Sequence, residues 1–181
     1  MPVDTRLTYD DFCLLPEDGK RREIIDGELF VTPAPLTAHQ RAIMRLSVHL
    51  WQFVDEQGLG EVFAAPFDVV FSDFDVVEPD LLYISKARGS VLTSKNVQGA
   101  PDLVVEVLSE STARVDRSIK LKLYGRFGVE EYWIVDVEGP SAEIYRRGSE
   151  GLELAARLTA NEALTSPLFP GFSLFLRKLT D

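Results

Sequence analysis

Cysteine is nearly absent from this sequence, and long apolar runs are absent altogether. Cys13 is the single cysteine in 181 residues, which excludes an internal disulfide and fits a reducing cytoplasm. It lies in an amphipathic segment, which predicts a small core residue rather than a nucleophile. No apolar stretch approaches the roughly 20 residues that span a bilayer, and Arg6, Asp10 and Asp11 place charges near the beginning. We therefore expect no secretory signal peptide, no membrane partner and a cytoplasmic location.

Several common catalytic signatures are also missing. The sequence has no glycine-rich phosphate loop, no cysteine and histidine set at zinc-ligand spacing, and no nucleophile elbow. These absences disfavour a hydrolase that would use His39 with an acid. The net charge of −10 argues against nonspecific coating of nucleic acid. It leaves room for a local basic groove and for carboxylates that bind metal.

An apolar strand with an acid inside it is the most informative stretch that is present. Residues 103–108 are apolar except for Glu106 and follow a Gly-Ala-Pro breaker, which predicts a strand covered on both faces. Side chains alternate along a strand, so Asp102 and Glu106 share one face. A buried carboxylate costs several kcal/mol unless a partner neutralises it. The strand therefore requires a cationic or metal partner nearby.

A basic helix follows this strand. Val115, Ile119, Leu123 and Phe127 recur every four residues and predict an apolar, core-facing stripe. A second stripe beside it contains Asp116, Lys120 and Tyr124, and further positive charge comes from Arg114, Arg117 and Lys122. Asp116 and Lys120 have two interpretations. They form either an exposed (i, i+4) ion pair of a few tenths of a kcal/mol or part of a site.

The N-terminal third predicts a hairpin and a long helix. Asp26-Gly27 between two β-rich runs is a strong hairpin signal, and Glu23 and Glu28 flank it as expected solvated charges. The long helix begins at Thr37. His39 points inward on its core stripe, which is more typical of a hydrogen-bonded core histidine than of a catalyst.

Two further strands, predicted over 61–71 and 76–85, bring a second acid close to Glu106. Asp80 directly precedes a buried apolar run, as Glu106 lies inside another. Two carboxylates and bound water form a minimal Mg²⁺ site, because Mg²⁺ takes few protein ligands. A lysine beside such a metal can orient or deprotonate the attacking water and stabilise charge on a phosphate. This combination is equipment for metal-dependent phosphodiester hydrolysis.

Nearly the whole chain resembles a bacterial family of putative restriction endonucleases, which is abundant in cyanobacteria and belongs to the PD-(D/E)xK nuclease superfamily. Each motif alone is weak, and the order and spacing of the motifs carry the resemblance. The matching segments are 23–29, His39-Gln40, 78–82, 99–109, Asp116 with Lys120 and Tyr124, 128–136 and the tail 167–172.

The resemblance implies an α/β (α+β) fold, with a restriction-endonuclease-like core of mixed β-sheet flanked by helices and an N-terminal β-hairpin. Asp80 matches the metal-binding aspartate of the superfamily, and Glu106 matches the acid of its (D/E)xK motif. The sequence departs at Leu108, where the superfamily has its lysine. Lys120 on the following helix is the substitute that fits the family spacing. Lys122 is the alternative, although it points roughly 200° away around the helix.

Further expectations follow from the resemblance and from the residues themselves. His39, Glu28, Asp102 and Asp116 are accessory site residues, although Asp102 equally fits a strand-start acid that binds backbone amides. Arg114, Arg117 and Lys122 are candidate DNA contacts. One domain over 1–181 is expected, divided into an N-terminal extension (1–36), a nuclease core (37–147) and a docked C-terminal tail (148–181).

Two functional hypotheses remain open from the sequence. The first is a Mg²⁺-dependent DNA endonuclease, with Mn²⁺ as a substitute metal, in which Asp80 and Glu106 bind the metal and Lys120 assists the attacking water. Cutting both DNA strands would favour a homodimer. The second is a catalytically inactive module of the nuclease fold that acts in nucleic-acid binding or assembly, as the absent lysine at Leu108 suggests.

Overall fold

The computed structural model describes residues 6–16 and 18–180. The α-helices are α1 (Tyr9–Cys13), α2 (Thr37–Gln57), α3 (Ala113–Val115) and α4 (Leu121–Phe127), and a π-helical turn, Asp116–Lys120, joins α3 to α4. Single 3₁₀ turns occupy Lys86–Val91 and Leu176–Leu179. The strands are β1 (Arg21–Ile25), β2 (Glu28–Thr32), β3 (Gly60–Ala64), β4 (Val69–Ser72), β5 (Asp75–Val77), β6 (Leu81–Ser85), β7 (Val97–Gln98), β8 (Leu103–Val107), β9 (Glu131–Asp136), β10 (Ser141–Arg147), β11 (Leu152–Thr159), β12 (Ala163–Leu164) and β13 (Leu174–Phe175).

A six-stranded mixed sheet forms the centre, in the order β11-β10-β9-β8-β6-β3. Strands β8 and β9 are parallel, and the other neighbours are antiparallel. The predicted mixed sheet flanked by helices is therefore confirmed. The parallel pair is joined by the helical segment 113–127, as parallel strands require a crossover connection.

The predicted hairpin is confirmed and belongs to a second sheet, in the order β2-β1-β5-β4-β7. Its turn residues Asp26 and Gly27 have φ values of 52° and 77°, which a two-residue hairpin turn of the favoured hand requires. Strand β1 joins the rest of this sheet through Ile24, which pairs with Val76 of β5.

Two of the predicted strands are wrong in their extent. The run 61–71 divides into β3 and β4, and the run 76–85 divides into β5 and β6. In each case the two halves belong to different sheets. Pro66 and Pro79 lie at the breaks, where a residue without an amide N–H cannot continue a ladder. The second break leaves Asp80 immediately before β6.

Apolar cores lie on both faces of the central sheet. Helix α2 buries Ala42, Leu46, Leu50 and Val54 against one face. The helical segment 113–127 and the second sheet cover the other face, where Leu123 and Tyr124 are buried. Strand β8, lying between these two layers, is buried along its whole length.

The C-terminal region packs on the α2 side of the sheet. Phe169 and Phe172 are buried in that core, as expected for a docked tail. Strand β11, which lies beyond the predicted boundary at residue 147, pairs with β10, which lies before it. The division at residues 36 and 147 stays a prediction, and residues 1–5, 17 and 181 lie outside the described part.

Cys13 is exposed, and the prediction of a core residue is therefore wrong. Its helix α1 has five residues and buries none of them, because it is shorter than the two turns over which an apolar stripe normally extends. Among the described residues, no helix combines the length and apolarity needed to cross a membrane.

Candidate active site

Two buried carboxyl groups oppose each other where β6 meets β8. Leu81 pairs with Val105 in this antiparallel register, so Asp80 and Glu106 are the next opposing residues. Each of these two acids is 2% exposed. The Val107 amide donates a 2.8 Å hydrogen bond to Asp80 Oδ2, which orients that carboxylate. The structure thus brings together the two acids that the sequence singled out.

The helical segment 113–127 supplies two donors to Glu106. Lys120 Nζ and the Tyr124 hydroxyl each donate to Glu106 Oε1 at 2.9 Å. Lys120 is 3% exposed and Tyr124 is fully buried. Lys122 is exposed. Of the two candidate lysines, only Lys120 therefore reaches the strand.

This segment is rotated relative to the predicted stripe. Ile119 is 37% exposed, whereas Asp116 and Lys120 are buried. Asp116 and Lys120 do form the (i, i+4) ion pair, at 3.7 Å, but both are buried, so the pair lies inside the candidate site rather than on the surface. The π-helical turn Asp116–Lys120 widens the helix at this point, and π-helical turns are frequent at functional sites. The carboxylates of Glu23 and Glu106 bind the Lys120 ammonium and keep it inside.

Asp116 lies in the same cluster and is the buried acid with the fewest hydrogen bonds. Its Oδ1 lies 3.7 Å from Lys120 Nζ, and neither carboxylate oxygen has a hydrogen-bond partner in the described part of the chain. Burial raises the pKa of Asp116, against the lowering effect of the Lys120 ammonium. The predicted accessory residue thus lies beside the lysine.

Glu23 belongs to the cluster, and its interpretation as a solvated hairpin charge is wrong. It is 2% exposed. Glu23 Oε1 accepts from Lys120 Nζ at 2.9 Å and from the Glu78 amide at 2.9 Å. Glu28, on the next strand of the hairpin, is exposed, and its accessory role stays a prediction.

Arg21 is the second residue that the sequence reasoning missed. Its Nη1 lies 2.6 Å from Asp80 Oδ1, and its Nη2 lies 3.4 Å from Glu106 Oε2. Its Nε lies 3.4 Å from Glu78 Oε1. A signal existed, because side-chain alternation in β1 places Arg21, Glu23 and the apolar Ile25 on one face.

His39 completes the environment of Asp80. Its Nε2 lies 3.2 Å from Asp80 Oδ2, and it enters from the first turn of α2. Its Nδ1 is buried and has no hydrogen-bond partner in the described ranges. The inward orientation predicted for His39 is confirmed, and it is aimed at the candidate site.

Burial and neighbouring charge separate the pKa values of the acids. Burial raises the pKa of Glu106 to about 8, although Lys120 opposes the shift. Burial would also raise the pKa of Asp80, but the hydrogen bond from His39 and the Arg21 charge lower it to about 2. Asp80 is therefore ionised at neutral pH, and Glu106 is the acid of the pair with the higher pKa.

Lys120 keeps its positive charge. Burial alone would lower its pKa, but the carboxylates of Glu106 and Glu23 outweigh that effect and raise the pKa well above its ordinary value. A charged ammonium can donate hydrogen bonds and stabilise negative charge, and it cannot accept a proton. Of the two roles expected for the lysine, removal of a proton from water does not fit this environment.

The cluster opens into a cleft of about 1180 Å³. One wall is the strand and loop that run from Val31 to Leu36, and another is the loop 109–112 before the helix. The floor contains Arg21, Asp80, Glu106, Asp116 and Lys120. A substrate in this cleft would therefore contact the candidate catalytic residues directly.

The donor set fits a hard divalent cation. Asp80 uses Oδ2 and Glu106 uses Oε1 for the contacts described above, which leaves Asp80 Oδ1 and Glu106 Oε2 directed at one shared cation, the Arg21 guanidinium. Among residues 6–16 and 18–180, no group of three or more His, Cys, Asp or Glu side chains is arranged to hold a metal. Mg²⁺ is commonly bound by only one or two carboxylates and retains several waters.

The remaining predicted residues lie outside the cleft. Asp102 accepts a 2.7 Å hydrogen bond from the Ser85 amide, which matches its interpretation as a strand-start acid. Arg117 Nε pairs with Glu143 at 2.7 Å, and Arg114 and Lys122 are exposed. None of these four predicted residues lines the cleft, and their roles stay predictions.

A family model described as "Uma2: Putative restriction endonuclease" matches residues 9–177. A solved structure is also similar, a protein described as a putative nuclease belonging to DUF820 from Anabaena variabilis ATCC 29413. The two chains share 20% sequence identity with a TM-score of 0.79, over 96% of this chain and 97% of that one. At this identity the likeness shows the fold. The comparison with curated proteins found no match.

Proposed function

The chain belongs to the Uma2 family of putative restriction endonucleases, and on this premise we propose that it is a Mg²⁺-dependent endonuclease that hydrolyses DNA phosphodiester bonds. One observation carries the proposal. Asp80, Glu106 and Lys120, which are far apart in the sequence, meet in one buried cluster at the floor of a cleft.

Asp80 and Glu106 are the residues that would hold Mg²⁺, with Mn²⁺ as a substitute, through Asp80 Oδ1 and Glu106 Oε2. A bound Mg²⁺ supplies Lewis-acid chemistry and lowers the pKa of water. His39 and the Val107 amide hold the Asp80 carboxylate in a fixed orientation. Tyr124 does the same for Glu106.

Lys120 acts in the proposal as a charged donor. Its ammonium already balances Glu23 and Glu106, so it stabilises negative charge at the floor of the cleft. In this role it orients the attacking water and stabilises charge on the phosphate. The helix thereby replaces the strand position of Leu108 as the source of the lysine.

DNA is the proposed substrate and a homodimer the proposed working form. The family description supports a nucleic-acid substrate, and a two-fold assembly would present one site to each DNA strand. The single cysteine supports action in the cytoplasm.

Cleavage of supercoiled plasmid tests the proposal. Wild type is compared with Asp80→Asn, Glu106→Gln and Lys120→Gln in Mg²⁺, Mn²⁺ or EDTA. We expect metal-dependent nicking by wild type and a loss of at least about 10²-fold in each variant. The two acid variants would each remove a metal ligand, and Lys120→Gln would remove a cation that stabilises charge on the phosphate.

Glu56→Gln is the matched control, since Glu56 is exposed near the far end of α2. Nicking that survives Lys120→Gln alone would reject the role of the lysine. Absence of nicking by folded wild type with every metal and DNA tested would reject the enzyme and favour an inactive binding or assembly module.

A further inference from the structure

Arg21 occupies the position toward which both proposed metal ligands point. Its guanidinium contacts Asp80 Oδ1 and Glu106 Oε2 and also lies 3.7 Å from Glu23 Oε1. Its side chain is 19% exposed, and that exposed part faces the cleft. Arg21 is thus a cation built into the site, with an open path out of it.

The local charge explains why some cation must be there. Five carboxyl groups, Glu23, Glu78, Asp80, Glu106 and Asp116, surround the cluster, and its permanent cations are Arg21 and Lys120. Buried carboxylates that lose their partner are costly. Without a metal, Arg21 is therefore held firmly between Asp80 and Glu106.

We propose that Arg21 and the metal ion compete for the same two oxygens, Asp80 Oδ1 and Glu106 Oε2. Arg21 therefore sets the metal affinity and occupies the site when no metal is bound. This inference rests on the proposed metal site. A divalent cation that takes Asp80 Oδ1 and Glu106 Oε2 replaces the guanidinium, which then moves into the cleft. There it is a free cation, able to contact a phosphate of the substrate, so that metal entry and substrate contact are coupled.

Binding of Mn²⁺ alone, measured by calorimetry, tests this exchange. We expect Arg21→Gln to bind Mn²⁺ about tenfold more tightly or better than wild type, because a competing charge a few ångströms away is removed. Arg22→Gln is the matched control. Arg22 is the next residue on β1 and bonds to Asp18 and the Pro16 carbonyl instead, so its affinity should equal that of wild type.

A second measurement does not depend on the folding of Arg21→Gln. The Nε–H resonance of Arg21 in wild type, identified as the signal absent from Arg21→Lys, should be protected from exchange in EDTA. In Mg²⁺ it should shift and exchange faster as the guanidinium leaves. An unchanged signal while Mg²⁺ binds would overturn the exchange.

The outcomes separate this inference from the nuclease proposal. Tighter binding by Arg21→Gln that disappears on adding Glu106→Gln supports both the exchange and the metal site. Equal or weaker binding by Arg21→Gln, with wild type binding normally, overturns the exchange and leaves the metal site intact. Millimolar Mn²⁺ that binds neither protein overturns both.

An exposed stripe on α2 supports a second inference, which rests on the proposed homodimer and names its interface. Met44, Val48 and Trp51 are 65%, 52% and 55% exposed, and Arg41 and Asp55 continue the same stripe at its two ends. Spacings of three and four residues place all five on one face. In the described part of the chain, Arg41 and Asp55 have no ion-pair partner.

The stripe is complementary to itself. If two copies of α2 pair antiparallel about a two-fold axis at Val48, Val48 meets its own copy and Met44 meets Trp51. Arg41 then meets Asp55 at each end. An isologous contact of this kind, with an apolar centre and opposite charges at its ends, is what a two-fold dimer requires. We infer that a second copy of this chain covers the α2 stripe.

Charge reversal tests this interface by sedimentation equilibrium. Wild type should dimerise, and Arg41→Asp or Asp55→Arg should each weaken association about tenfold, because like charges then face each other. The double variant Arg41→Asp/Asp55→Arg should restore it. The inference would be overturned if wild type stays monomeric at high micromolar concentration. It would also be overturned if the three variants dimerise with the same association constant as wild type.

Discussion

Glu106 and Glu131 are both buried carboxyl groups in the parallel pair β8 and β9, yet their surroundings differ in kind. Glu131 is 1% exposed, and its oxygens accept from Trp133 Nε1, Arg146 Nε and the Ser166 hydroxyl. Two of these donors are neutral and Glu131 does not line the cleft. It ties the C-terminal tail to the sheet.

Glu106 lies instead among an excess of acids and beside an open cleft. One of its oxygens is shared by Lys120 and Tyr124, and the other faces only Arg21, at 3.4 Å. A buried acid that serves stability is thus matched by its donors. Glu106, the proposed metal ligand, is left with charge that a further cation could relieve. The following experiments challenge or refine this contrast.

The largest difference should appear when each acid becomes an amide. Glu131→Gln should lower the free energy of unfolding by about 3 kcal/mol, because glutamine offers one acceptor oxygen to three donors. Glu106→Gln should lower that of the metal-free protein by less than about 1 kcal/mol, because Lys120 keeps Glu23 as a partner and Arg21 keeps Asp80. Urea denaturation in EDTA measures both. Equal losses would refute the contrast.

Metal should distinguish the same two variants in the opposite sense. At ten times the dissociation constant, Mg²⁺ should raise the free energy of unfolding by about 1.4 kcal/mol in wild type and in Glu131→Gln. Glu106→Gln should show no rise. Urea midpoints with and without Mg²⁺ provide the measurement. A Mg²⁺ response retained by Glu106→Gln would place the metal elsewhere.

The change in stability of the metal-free protein over a single pH unit should be the smallest of these effects. The pKa of Glu106 is raised from 4.5 to about 8 by burial, so between these values the folded state holds a proton that the unfolded state has released. Stability should therefore fall as pH rises through this window, by at most about 1.4 kcal/mol per pH unit from this one group.

Glu106→Gln removes that contribution, whereas Glu131→Gln keeps it. Urea titrations in EDTA at several pH values between 4.5 and 8 compare the slopes of the two variants. Identical slopes would mean that Glu106 titrates normally in the folded protein.

Local rules predicted the strand acids and the lysine for clear reasons. The buried pattern around Glu106 and the breaker before Asp80 are properties of short segments, and helical spacing put Lys120 beside Asp116. The family resemblance then indicated that these segments meet. The mixed sheet could be expected on the same grounds.

Arg21 and Glu23 were harder to assign, because alternation in β1 gives the face that they share but not what that face contacts. The docking of β1 on β5, through the Ile24–Val76 pair, accompanies the burial of Glu23 and leaves the Arg21 side chain 19% exposed. The π-helical turn could not be predicted either, because helix periodicity assumes a constant rotation per residue and therefore predicted Ile119 as a core residue. Tertiary contacts decided each of these positions.

The hydrogen bond between Glu23 and Lys120 joins residues 97 positions apart. A ribosome that adds about 5–20 residues per second therefore needs about 5–20 s to deliver the second partner after the first. During that interval the residues of the hairpin have already been synthesised, but Glu23 still lacks the Lys120 ammonium as a partner. An incomplete chain thus holds no assembled site, and hydrolytic potential would arise only after the helix has been synthesised and has closed over the hairpin.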